Sequence, residues 1–212
     1  MPTVCLDPGH GGRDAGAYRQ GLKEKDLTLA IAQAARDALR PVHRVVLTRT
    51  SDLSLSLAGR RETADRARAA LFVSIHVNAS TSARASGVEV FVGRPADAHS
   101  FVLAVSILRA MVAHLPQRPN RGIKQRSLGV LRQARPAALV ECYFLSNPAE
   151  RALLARPSTR AALGRAIALG CERFLSPPLL SARPSGGRAT TGRGKTARPA
   201  ARSPRRPAAR PG

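Results

Sequence analysis

Acidic residues are scarce in this chain. Thirteen Asp and Glu stand against 35 Lys and Arg over 212 residues, giving a formal net charge of +22. No acid falls within 176–212, where nine Lys and Arg sit, so the residues before it carry +13 (22 − 9). Two basic parts point to a polyanionic partner: cell-wall polymer, anionic lipid or nucleic acid. Cysteine is also rare. Cys5, Cys142 and Cys171 are odd in number and widely spaced, with no CxxC pair, which excludes a disulfide framework and an all-cysteine metal site. Cys5 and Cys142 fall in apolar runs and read as small buried hydrophobes. No apolar stretch approaches the length of a membrane span. Met1-Pro2-Thr3 leads straight into an apolar run, without the basic and then apolar segments of a secretory signal. No internal repeat is evident.

What is present has the rhythm of alternating layers. The length suits one well-buried domain plus an extension. Apolar, β-branched-rich runs predict strands near 3–8, 42–48, 71–77, 87–92, 128–132 and 137–144. Between them, Leu27, Ala30, Ile31, Ala34, Ala38 and Leu39 recur at helical spacing over 24–40, and Pro41 stops that helix. Further helices are expected near 57–70, 98–114 and 158–175. Such alternation implies a single α/β domain over 1–175 with a largely parallel sheet. Ligands of such sheets gather outside the carboxyl ends of the strands. From Ser176 the pattern ends: Pro177-Pro178, Gly186-Gly187 and repeated Ala-Arg and Arg-Pro steps offer too little apolar surface to offset ordering entropy. Residues 176–212 are therefore expected to form a disordered basic tail.

Four residues carry chemistry. His10 ends Leu6-Asp7-Pro8-Gly9-His10-Gly11-Gly12, an apolar run breaking into a glycine-rich turn. Glu24 opens the first helix. His76 and Glu141 sit in the apolar runs Leu71–Val77 and Ala138–Leu145. Each has an ordinary reading in isolation: a solvated loop histidine, a carboxylate favoured by a helix dipole, a core histidine bonded to a carbonyl. Glu141 resists this, since a carboxylate buried in a strand is expensive unless paired, metal-bound or catalytic. Two imidazoles and a carboxylate, with a second carboxylate nearby, make the inventory of a hydrolytic zinc site with one open position. Which carboxylate binds and which moves protons is left open by this inventory. His43, His99 and His114 lack such a setting and read as surface residues.

The ordered runs Leu6–Gly12, Glu24-Lys25-Asp26-Leu27, Leu47-Thr48-Arg49, Ser74–Ala79, Gly87–Phe91 and Val140–Pro148 resemble the zinc-dependent N-acetylmuramoyl-L-alanine amidases (type 3 catalytic domain). The resemblance implies a six-stranded sheet and cleavage of the amide between N-acetylmuramic acid and L-alanine in peptidoglycan. By matching motif, His10, Glu24 and His76 would bind one Zn2+ per chain and Glu141 would be the catalytic carboxylate. Asp7 and Asn78 are expected to orient ligands or substrate. Two departures stand out: Tyr143 occupies a position commonly small in the family, and Arg40–Arg44 replaces a glycine-containing turn. The stretch from Gly93 to Leu128 is too short for both its helix and an inhibitory plug, so an open site is expected. The family works at the cell wall, periplasmic or extracellular. With no export signal visible, release by lysis or a start further upstream is expected. A monomer without specific nucleic-acid binding is expected, its basic tail drawn to anionic wall or outer-membrane polymer or else a passive extension. Two rivals remain: a zinc peptidase cutting within the stem peptide, and a non-catalytic binder of wall polymer or nucleic acid.

Overall fold

The structure is a computed structural model that describes residues 1–115 and 118–176. Its elements in chain order are β1 (Thr3–Pro8), a small hairpin of β2 (Tyr18–Arg19) and β3 (Leu22–Lys23), α1 (Glu24–Leu39), β4 (Arg44–Leu47), α2 (Leu57–Arg66), β5 (Leu71–Asn78), β6 (Val88–Val92), α3 (Ala98–His114), β7 (Asn120–Gln125), a 3-10 turn (Gly129–Leu131), β8 (Ala137–Phe144), α4 (Pro148–Leu154) and α5 (Pro157–Leu175). Six strands form one sheet in the order β4-β1-β5-β8-β6-β7. Every neighbouring pair is parallel except β8 with β6.

The central strands are apolar on both faces because both are covered, as parallel sheets require. Val4, Leu6, Val73, Ile75, Ala138 and Val140 face the layer of α1, α3 and α5 and form the larger core with Ile31, Leu103, Ile107 and Leu163. Cys5, Phe72, Phe91 and Leu139 point the other way and pack with Ala64 of α2 and with Val130 and Leu131 of the 3-10 turn. Each fully buried Leu, Ile or Phe contributes about 1.5–3 kcal/mol. The second face is covered only in part. The carboxyl ends of β1, β5 and β8 open beyond it, and the site lies there.

Five of the six expected strands and all four expected helices are present, within a few residues. The sixth strand is not at 128–132. The apolar run there folds as the 3-10 turn, which plugs the smaller core. The strand is instead β7, Asn-Arg-Gly-Ile-Lys-Gln, polar because it is the edge of the sheet with one side toward solvent. α4 was not expected from apolar spacing. It is set by capping: Asn147 Oδ1 accepts from the amides of Ala149 and Glu150, and Pro148 takes the first turn. His43 is buried rather than on the surface. The amides of Val42 and His43 both donate to the Leu39 carbonyl and fold the ring back under the end of α1. His99 and His114 are exposed as expected. The expected tail, Ser176 apart, lies outside the described residues, among which no helix is long and apolar enough to cross a membrane.

Candidate active site and metal centre

β1 ends at Pro8, and the next residues turn through the left-handed region: His10 at φ 59°, Gly11 at 130° and Gly12 at 58°. For a residue with a Cβ this costs roughly 1–2 kcal/mol and persists only where the surroundings enforce it. Two buried arginines do so. Arg60 donates to the carbonyls of Pro8 and His10, each at 2.7 Å. Arg49 donates to the carbonyls of Pro8 at 3.1 Å and Gly9 at 2.8 Å. Asp7 is buried beneath them, accepting from Arg60 at 2.6 Å, Thr48 at 2.5 Å and Ser74 at 2.7 Å. Its oxygens are thus spent on holding the turn rather than on meeting a substrate.

Three elements converge on one point. Glu24, the first residue of α1, reaches across the end of β5: its Oε1 accepts from the Val77 amide at 3.0 Å and its Oε2 from the Ala17 amide at 2.8 Å. The same Oε1 lies 3.1 Å from His10 Nε2 and 3.0 Å from His76 Nδ1. The two imidazoles meet edge to face, 4.9 Å between centroids. One ligating atom from each of the three residues lies within 4.8 Å of the others, against the roughly 3.4 Å that tetrahedral bonds of about 2.0–2.1 Å imply. Small residues make the room. A Cβ on Gly9 would stand 2.5 Å from His76 Cε1, and one on Gly16, at φ 63°, 2.6 Å from both Glu24 Oε2 and His10 Cδ2. Either glycine replaced would press a methyl group into the cluster.

The electrostatics suit a cation. Burial alone would raise the proton affinity of Glu24, but hydrogen bonds from His10 and His76 hold it far below the usual carboxylate range. It is a fixed anion. His10 is pushed the other way: burial lowers its pKa, yet bonds to Glu24 and Asp14 raise it on balance. Asp14 Oδ2 lies 2.8 Å from His10 Nδ1, which turns Nε2 toward Glu24 in the carboxylate–histidine arrangement common around metal ligands. Asp14 was missed at the sequence level, although it sits four residues after His10 within the same glycine-rich turn.

Glu141 stands directly across from His76 in the β5–β8 register and from Glu89 in the β8–β6 register. Its Oε2 is buried and has no hydrogen-bond partner among the described residues. Burial first, then the charges of Glu24 and Glu89, push its pKa well above the ordinary value. Just beyond it β8 bulges: the pairing with β5 skips between His76 and Asn78, and Tyr143 takes φ 69°. That backbone conformation favours glycine over a side chain as large as tyrosine, and it sits beside the site as bulges commonly do. Asn78 does not reach the cluster; its Nδ2 donates to Glu89 Oε1 at 2.7 Å. Glu89 in turn pairs with Arg121 at 2.8 Å and with Lys124. These β7 cations were hidden from sequence reading by the misplaced sixth strand.

Two basins of about 490 and 510 Å³ meet at His10 and His76. One runs past Leu55, Leu57, Leu128 and Val130 toward α2 and the 3-10 turn; the other runs past Glu141 and Phe144 toward β7. His10 and His76 keep 23% and 19% of their side-chain surface exposed, so the cluster faces solvent. A family model described as N-acetylmuramoyl-L-alanine amidase matches residues 4–173, most of the chain. The chain belongs to that family. It is 31% identical over 224 residues to N-acetylmuramoyl-L-alanine amidase AmiC of Neisseria meningitidis, covering 84% of this chain and 54% of that protein. Over 160 residues it is 36% identical to the endolysin of Bacillus phage SPP1, covering 73% of this chain and 59% of the endolysin. The chain thus spans little more than half the length of these two relatives. Among solved structures, the N-acetylmuramoyl-L-alanine amidase of Clostridium difficile 630 superposes with a TM-score of 0.80 at 33% identity, covering 84% of this chain and 98% of that one. The catalytic domain of CwlV from Bacillus (Paenibacillus) polymyxa gives 0.78 at 32%, over 83% and 99%. Both superpose over nearly their whole length, so they share the fold described above.

Proposed function

We propose that this domain hydrolyses the amide between N-acetylmuramic acid and L-alanine in peptidoglycan, with one zinc ion held by His10, Glu24 and His76. The observation that carries the reading is the pairing of a converged His–Glu–His set with a buried, unpartnered carboxylate oxygen beside it. The residues fit the metal: two imidazoles and an anionic carboxylate are donors zinc prefers, one imidazole is oriented by Asp14, and the space is kept by Gly9 and Gly16. A bound zinc would supply Lewis acidity, bringing the pKa of a water toward about 7 and polarising the scissile carbonyl.

The protein's own residues account for the rest. Glu141 holds a proton more tightly than a solvated carboxylate does. It can therefore take a proton from the attacking water and pass it to the leaving alanine nitrogen as the carbon–nitrogen bond breaks. The anionic Glu24 offsets positive charge at the centre. Asp7, Arg49 and Arg60 keep the His10 turn from relaxing, and Asn78 holds Glu89 in place beside Glu141. Action is at the cell wall, as the name of one relative, the probable cell wall amidase LytH of Staphylococcus aureus, indicates for that protein.

The test is chemical. Incubation with purified sacculi should release new N-terminal L-alanine while glycan chains stay intact. Amino groups of other residues would identify a peptidase acting within the stem, and wall binding without product would leave only a binder.

A further inference from the structure

The wall of the cleft built by β7 is cationic, and its charges are set in place by the fold. Arg121 and Lys124 both pair with the buried Glu89. Arg121 also lies over the Phe144 ring at 4.9 Å from its centroid. Arg126 lies over Phe91 at 5.2 Å, makes no side-chain ion pair among the described residues, and lines the same basin as Glu141. Three cations and three carboxylates, those of Glu24, Glu89 and Glu141, line this basin, and of the cations Arg126 alone makes no side-chain ion pair among the described residues. Stacking on a ring leaves the planar edge of Arg126 free to donate to a carboxylate. The other basin, toward α2, carries leucine and valine side chains with Ser56, Arg60 and Asp14. Its Arg60 is engaged with Asp7 and two carbonyls. The two arms of the cleft therefore differ in the charge they offer.

We infer that the β7 arm is a recognition subsite for a carboxylate on the peptide side of the scissile amide, with Arg126 as its specificity-determining residue. The inference rests on the amidase reading and deepens it by giving the substrate a direction. Once the lactyl group is an amide, the muramyl side is uncharged. The substrate's negative charge then lies on the peptide, beyond the alanine. The peptide extends along β7, and the sugar occupies the arm between α2 and the 3-10 turn. The ligand class is a carboxylate-bearing peptide; a peptide amidated at that carboxyl fits the same cleft but leaves Arg126 without a partner.

The experiment compares two soluble probes, N-acetylmuramoyl-L-alanyl-D-isoglutamate and its isoglutamine α-amide, the γ-carboxyl capped as a methylamide in both so that only the α-carboxylate differs, by kcat/KM with the zinc-loaded full chain. Arg126 is exposed, so an ion pair there is worth about 1.5-fold to fivefold in preference for the acidic probe. The preference should shrink in high salt, which screens exposed charges. Arg126→Gln should collapse the ratio toward one through loss on the acidic probe, and Arg126→Lys should restore part of it. Equal kcat/KM for both probes in the parent, or an unchanged ratio in Arg126→Gln, overturns the subsite. Failure of the parent to release alanine peptides from either probe or from sacculi instead overturns the amidase reading, so the two failures are separate.

Discussion

Replacing Asp7 with Asn tests whether this residue holds the metal-bearing turn or meets the substrate. Asp7 is 1% exposed and its charge is matched by Arg60, itself 5% exposed, at 2.6 Å. Removing one partner of a buried pair costs about 3–5 kcal/mol, because the other charge is left uncompensated. Asparagine keeps an acceptor for Thr48 or Ser74, so the lower end of that range, about 3 kcal/mol, is expected. For a domain of this size each kcal/mol lowers Tm by about 2–4 °C, which gives a fall of about 6–12 °C. Because Arg60 also fixes the Pro8 and His10 carbonyls, zinc affinity should fall with stability. Thermal unfolding by circular dichroism, followed by zinc titration well below the new Tm, measures both. Combining Asp7→Asn with Arg60→Met should recover part of the lost stability, since the orphaned charge goes too. A Tm within about 2 °C of the parent together with a raised KM would refute the reasoning and make Asp7 a substrate contact.

Four further outcomes are expected. Glu141→Gln should lower kcat by about 10²–10⁴-fold while zinc content and wall binding persist; parental kcat would remove Glu141 from the chemistry. Asp14→Ala should weaken zinc binding by about 10–100-fold through loss of the His10 Nδ1 partner, as read by competition with a chromophoric chelator; unchanged affinity would show that His10 needs no such anchor. The raised pKa of His10 stabilises the metal-free fold below its ordinary value of 6.5, a contribution lost as pH rises through the raised value. Zinc must displace that proton at low pH, so the Tm gap between zinc-loaded and chelated protein should widen from acid to mildly alkaline pH; a gap that narrows contradicts the assignment of His10. Deleting 177–212 should leave Tm and zinc binding intact, because both cores close within the described residues. The deletion should slow digestion of sacculi most at low salt, where charges act beyond about 8 Å. A large fall in Tm would make the segment part of the fold.

Much of this was legible in the sequence because apolar runs in a parallel sheet are buried on both faces and therefore stand out. Five strands follow from that, as do the positions of His10 just past the end of β1, His76 near the end of β5 and Glu141 within β8. β7 escaped for the opposite physical reason. An edge strand half in solvent carries Asn, Arg, Lys and Gln, while the apolar Leu128–Leu131 run that imitates a strand is a plug for the second core. With β7 misplaced, Arg121 and Lys124 could not be set against Glu89, and the cationic arm of the cleft was invisible. Asp7 and Asn78 were noticed for their neighbours, but their contacts span long separations, Asp7 to Arg60 across 53 positions, which no local pattern shows. The left-handed backbone at Tyr143 makes this a strained position for so large a side chain, which sequence alone could not show.

The central claim is that one zinc, held by His10, Glu24 and His76, serves cleavage of the muramyl–alanine amide. The most direct measurement is the digestion product on purified peptidoglycan, with metal content determined on the same sample and on its His10→Ala, His76→Ala double variant. The account predicts one zinc per parental chain, release of peptides beginning with L-alanine, intact glycan, and loss of both metal and product in the variant. New reducing sugar ends, or full zinc occupancy in the double variant, would contradict it.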